Sequence, residues 1–186
     1  VERMYLLESG GAINGTANDQ GNLIYGNSFA NTITGGLGVD QLYGNGGNDL
    51  LAGKAGGDQL NGGLGNDTVS YALSAGAVTV NLALTTAQSG GDAAGDLLTQ
   101  IENVIGSYHD DILIGDSVTN VLTGLFGKDF MAGGASNDTF DFNLSSETQK
   151  GASRDVITDF SGFGAELDAI DLSGIDAKLA DGDQAF

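Results

Sequence analysis

Aspartate returns every ninth residue through the stretch 35–70, at Asp40, Asp49, Asp58 and Asp67. Glycines precede each one: Gly35, Gly44, Gly53 and Gly62 take the first place of the nine, and Gly38, Gly47, Gly56 and Gly65 the fourth. An apolar residue follows two places later, at Leu42, Leu51, Leu60 and Val69. Carboxylates set among glycines, which let the neighbouring carbonyls turn freely, make an oxygen-donor array. Calcium suits it, since that ion takes roughly 6–8 oxygens and mixes carboxylate with carbonyl. When one nine reverses the chain and two complete a circuit, turns two repeats apart stack at about 4.8 Å. Asp40 then lies over Asp58, and Asp49 over Asp67. Stacked carboxylates repel unless a cation lies between them.

The elements that must position these turns are short. The first six residues of each nine carry turn chemistry, and the last three make a strand with one side chain inward and two outward. Working backwards, Ile33 and Ile24 continue the apolar series while Asn31 and Asn22 replace the aspartate. Those two turns either bind metal or are simply metal-free turns. A second array runs through 106–141, with Leu113, Leu122, Met131 and Phe140 inward, and Val104 one step upstream. Its sixth places hold Glu102, Asp111, Asn120, Asp129 and Asp138, and His109, Val118 and Ser136 replace the fourth-place glycine that Gly127 keeps. Asp111 over Asp129 remains a full pair. Glu102 over Asn120 and Asn120 over Asp138 each supply one carboxylate, so ions there are expected to leave first on chelation.

Between the arrays, Val78, Val80 and Leu82 alternate with Thr79 and Asn81, which predicts one longer strand within 77–84 followed by a Gly-rich loop. After Phe142, DVITDF at 155–160 and DAIDLS at 168–173 read as two closing strands, which a repeat stack needs at its end. The chain thus divides into an N-terminal array over 1–70 (weak repeats 17–34, strong repeats 35–70) and a linking strand and loop over 71–96. A second array over 97–141 and capping strands over 142–186 complete it.

Composition narrows the function. The 186 residues include 32 glycines, no proline, cysteine or tryptophan, and a formal net charge of -19. Arg3, Lys54, Lys128, Lys150, Arg154 and Lys178 are scattered, which argues against a nucleic-acid partner. Disulfides and thiolate metal sites are impossible without cysteine. The apolar run at 77–84 is strand-sized, so no membrane span is expected. The opening VERMYLL lacks a signal-peptide pattern, and the chain is expected to be part of a longer protein. A single histidine, His109, cannot build H-E-x-x-H, and neither a G-x-S-x-G elbow nor a P-loop occurs. Two acids suffice for glycoside chemistry, but the regular spacing already accounts for most of the aspartates. No catalytic residue is expected.

The nines resemble the G-G-x-G-x-D-x-U-x repeats (U apolar) of RTX, or hemolysin-type, proteins. That resemblance implies an all-β, right-handed parallel β-roll loaded with several calcium ions and closed by a C-terminal β cap. It implies ligands at the first-, second- and fourth-place carbonyls and the sixth-place aspartate. These are Gly35, Gly36, Gly38 and Asp40; Gly44, Asn45, Gly47 and Asp49; Gly53, Lys54, Gly56 and Asp58; and Gly62, Gly63, Gly65 and Asp67. In the second array they are Gly124, Gly127 and Asp129, then Gly133, Gly134 and Asp138, with Asp111 paired to Asp129 and with Glu102 and Asn120 at the weaker steps. The segments DTVSYALSAGAVTVNLAL, LLTQIENVIGSYHDDILIGD and DVITDF…DAIDLSGID are similar to the C-terminal domain of serralysin-type secreted metalloproteases, over about 65–176. The family implies export by type I secretion machinery, folding in extracellular calcium, and support for the stability of a bacterial parent protein. The family's secretion signal lies near the extreme C-terminus, whereas this sequence stops at DGDQAF. The alternative is an adhesin or a module binding extracellular polysaccharide through the outward Gln41, Tyr43, Gln59 and Asn61. A passive spacer in a large surface protein is a third reading.

Overall fold

A computed structural model describes residues 2–142, 154–162, 164 and 166–173. Its strands are mostly three residues long with the middle side chain buried, as the x-U-x half of each nine requires. Within the regular nines, parallel neighbours lie eighteen residues apart, with Leu42 in register with Leu60 and Leu51 with Val69. Two nines therefore complete one coil.

Among the described residues the coils build three parallel sheets. The first contains Glu2–Tyr5, Asn22–Tyr25, Gln41–Gly46, Gln59–Leu64 and Leu97–Thr99. The second begins with Gly15–Thr16, Thr32–Thr34, Leu50–Ala52 and Thr68–Ser70. It continues through Asn103–Ile105, Val121–Thr123, Thr139–Asp141 and Ala169–Asp171. The third contains Thr79–Asn81, Ile112–Ile114, Phe130–Ala132 and Val156–Ile157. Inward residues of all three sheets, from Ile24 and Ile33 to Met131 and Phe140, form one buried core. This is the all-β parallel roll that the repeats predict.

The second sheet runs through both arrays without a break, because Asn103–Ile105 pairs directly with Thr68–Ser70. The opposite wall changes hands instead, from the first sheet to the third. Thr79–Asn81 joins Ile112–Ile114, while the later strand Leu97–Thr99 returns to pair with Gln59–Asn61. The longer strand expected within 77–84 is only Thr79–Asn81. Asn81 ends it: its Oδ1 accepts the Ala83 N–H (2.9 Å) and its own N–H goes to Gln88 Oε1 (2.7 Å). After one more ladder bond, from the Leu82 N–H to the Ile114 carbonyl (2.9 Å), the Asx turn leads the chain out of the sheet. The expected closing strands occur as Val156–Ile157 beside Phe130–Met131 and Ala169–Asp171 beside Thr139–Asp141. The rest of the expected cap, at 143–153 and 174–186, lies outside the described residues, as does DGDQAF.

Candidate metal centre

Parallel coiling brings the sixth-place side chains into columns along the edges of the sheets. The main-chain N–H of Asp40 donates to Asp58 Oδ1 (2.8 Å) and that of Asp49 to Asp67 Oδ1 (2.7 Å). Asp111 donates likewise to Asp129 and Asn120 to Asp138, both at 2.8 Å. Upstream, Asn22 and Asn31 donate to Asp40 and Asp49 at 2.7 Å. One oxygen of each aspartate is thus held by the preceding coil. All of these aspartates are at most 2 % exposed.

The second oxygen divides the turns into two kinds. In the turns ending at Asn31, Asp40, Asp111 and Asn120, the second-place N–H, from Asn27, Gly36, Ser107 and Asp116, donates to the sixth-place side chain. These turns are closed by the protein. In the turns ending at Asp49, Asp58, Asp67, Asp129 and Asp138, Oδ2 is buried and has no hydrogen-bond partner. There the second place is left-handed: Asn45 (φ 73°), Lys54 (66°), Gly63 (106°), Leu125 (69°) and Gly134 (99°). The closed turns have no such residue at that place. Reversing the peptide between the first and second places takes the N–H away from the carboxylate. For Lys54 and Leu125 the left-handed state costs roughly 1–2 kcal/mol, and it persists only when the surroundings require it.

Each open turn is also a cradle. A Cβ on Gly44 would overlap Asp49 Oδ2 and the Gly62 carbonyl oxygen of the next coil. One on Gly62 would overlap Asp67 Oδ2 and the Gln100 carbonyl, and Gly53, Gly124 and Gly133 lie equally close to Asp58, Asp129 and Asp138. Second- and fourth-place glycines serve another purpose. Gly36, Gly38, Gly47, Gly56, Gly63, Gly65, Gly127 and Gly134 lie hard against main chain of the preceding coil, where a Cβ has no room. Among the described residues no three acidic or histidine side chains gather around one point. Each centre therefore offers one or two carboxylates among main-chain carbonyls, a donor set that fits a hard cation such as calcium.

Electrostatics agrees. Removal from water pushes the carboxyls of Asp49 and Asp58 up to about 6, and that of Asp129 up to about 7. Asp67, Asp111 and Asp138 are raised for the same first cause. An ionised, buried, half-satisfied carboxylate calls for a counter-cation.

Some expected pairings differ. Glu102 Oε2 accepts the Asp67 N–H (2.7 Å), so its carboxylate extends the first array, and Asn120 meets only its main-chain oxygen (2.7 Å). Asp111 accepts from Val78 N–H and Ser107 Oγ–H, both at 2.7 Å, besides the Ser107 N–H, and is fully satisfied by protein. Four residues join the columns although they stand outside the counted nines. Asp96 takes the sixth place above Asp58 (2.8 Å), Asp155 above Asp129 (2.8 Å) and Asp168 above Asp138 (3.0 Å). Gln100, left-handed at φ 53°, supplies the carbonyl described above. The signal for the three aspartates is the half-motif D-x-U-x: DLLT, DVIT and DAID.

His109 is exposed. On the outer face of the first sheet, Tyr5, Tyr25 and Tyr43 stack on one another with centroids 5.0 Å apart and planes within 14°. Both faces of Tyr25 are thereby covered, and Asn61 beyond them donates to Thr99 Oγ1 (2.9 Å).

Two family models match the sequence. The RTX calcium-binding nonapeptide repeat matches residues 16–51 and 43–72, and the Peptidase M10 serralysin C-terminal model matches residues 89–184, more than half of the chain. No curated protein matches it.

Proposed function

The chain belongs to the serralysin C-terminal family and carries RTX calcium-binding repeats ahead of that domain, and from this premise we propose that it is a non-catalytic module that folds on binding several calcium ions outside the cell. Asp49, Asp58, Asp67, Asp129 and Asp138 hold the ions together with first-place carbonyls of the adjoining coils. The observation that carries this reading is the coincidence, in all five turns, of a partnerless buried Oδ2 with a left-handed second place. Bound calcium supplies positive charge and coordination for oxygens that the fold removes from water. The chain's own residues then orient those oxygens, exclude solvent and stack the coils.

Where calcium is scarce, an acidic chain with one inward side chain in nine is not expected to hold its coils. That state suits passage through type I secretion machinery, and millimolar extracellular calcium then folds the domain and stabilises the parent. Extracellular calcium modules bind at roughly 10⁻⁴–10⁻³ M, the range such a switch needs.

Far-UV circular dichroism during a calcium titration tests the reading, with magnesium as control and chelator as reversal. A cooperative gain of β structure near millimolar calcium, absent with magnesium, is the expected result. A chain already folded in chelator and indifferent to calcium overturns it.

A further inference from the structure

The outer face of the first sheet carries side chains that the carboxylate columns do not use. Tyr5, Tyr25 and Tyr43 hold in-register places on three adjacent parallel strands, so their rings repeat with the strands. Successive centroids are 5.0 Å apart and the interplanar angles are 10° and 14°, a stacked arrangement. Each phenol thus has another phenol as its immediate neighbour. Tyr5 is 59 % exposed, and Tyr25 and Tyr43 keep part of their surface in solvent.

The other two tyrosines are placed differently. Tyr71 is buried, with its hydroxyl donating to Asp96 Oδ2 at 2.9 Å. Tyr108 is exposed but meets Phe126 edge-on, with centroids 5.2 Å apart. The sequence has no cysteine and no tryptophan, and Met131 is buried. Side chains that would otherwise intercept an oxidant are therefore scarce.

We infer that the tyrosine stack is an oxidative cross-linking site, at which an extracellular one-electron oxidant, a haem peroxidase supplied with hydrogen peroxide, joins adjacent coils through dityrosine. Two neighbouring phenols each give one electron to the oxidant and one proton to solvent. The phenoxyl radicals couple at ring carbons beside their oxygens, forming one carbon–carbon bond. The hydrogens on those carbons then move to the oxygens and restore both phenols. The peroxide takes up the two electrons and two protons and leaves as two waters. The new bond ties Tyr25 to Tyr5 or to Tyr43, across coils whose turns at Asn31 and Asp40 are closed by protein donors. A cross-link restricts the unfolded chain, so the bonded protein folds at lower calcium; this last step rests on the calcium reading, and the cross-link itself does not.

Treatment of the calcium-loaded chain with a haem peroxidase and hydrogen peroxide tests the site. Dityrosine fluorescence is expected from a monomer lighter by two hydrogens. Tyr25→Phe keeps the stacked ring but separates the remaining phenols, and is expected to lose that product while keeping its β structure in calcium. Tyr108→Phe is expected to form as much as wild type. Product undiminished in Tyr25→Phe, lost in Tyr108→Phe, or found only between molecules overturns the inference. A calcium midpoint of folding that the cross-link leaves unchanged overturns the stapling role. A wild-type chain whose folding is indifferent to calcium overturns the calcium reading and leaves the cross-linking site standing.

Discussion

The main-chain N–H of Asp49 donates to Oδ1 of Asp67 at 2.7 Å, and Oδ2 of the same carboxylate is buried with no partner. One oxygen thus holds two coils together while the other has no partner among the described residues. An unsatisfied buried anion costs several times what an ordinary hydrogen bond contributes. On the proposed function, folding and calcium loading are coupled at each open turn, and the differences between turns are measurable.

Asp67→Asn is expected to bind one calcium ion fewer and to raise the calcium midpoint of folding, by roughly tenfold for about 1.4 kcal/mol lost. Asp40→Asn is expected to do much less. Both oxygens of Asp40 already accept N–H bonds, from Asn22 at 2.7 Å and Gly36 at 2.8 Å. Equal losses in the two variants, measured by titration calorimetry, would sink the division into open and closed turns.

Gly44→Ala fills a cradle without removing a carboxylate. Its Cβ overlaps Asp49 Oδ2 and the Gly62 carbonyl, so calcium binding at that step should fail. Gly46→Ala, two residues away, meets nothing nearer than 3.7 Å and is expected to keep the wild-type ion count. Parallel calcium titrations of the two variants make the comparison.

Acidity acts in opposite directions on the empty and loaded chains. Burial raises Asp49 and Asp58 to about 6 and Asp129 to about 7, from an ordinary 3.8. Each raised group favours the fold fully below its unfolded value, and that contribution disappears as pH rises through the folded value. In chelator, β structure is therefore expected to grow as pH falls from about 7 towards 4. With calcium present, affinity should fall over the same window because protons compete for the same oxygens. Circular dichroism in chelator and calorimetry in calcium, each at pH 8 and pH 5, check both signs.

Leu51 lies on the sheet shared by both arrays and is fully buried. Leu51→Ala is expected to cost about 2–5 kcal/mol in saturating calcium. Leu37, 64 % exposed in a turn, should tolerate alanine within about 0.5 kcal/mol. Chemical denaturation of the loaded chain separates them, and similar costs would contradict the inward register.

The period of nine was enough to place the strands, because each x-U-x triplet has one apolar side chain and two coils bring equal places into register. Leu42, Leu51, Leu60 and Val69 could be assigned to the core, and Asp40, Asp49, Asp58 and Asp67 alike to turns, from spacing alone. Family resemblance added the carbonyl ligands and the handedness of the roll.

Tertiary structure alone decided which turns are open. Asp40 and Asp49 stand in nines with the same first- and fourth-place glycines and the same inward leucine, yet one is closed by a second-place N–H and the other is not. It also carried the second sheet across the interruption after Ser70, and it put Asp96, Gln100 and Asp155 into the columns over gaps that no fixed period spans. The reason is physical: local spacing determines which way a side chain points, whereas the partner of a buried oxygen is set by the coil that comes to lie against it.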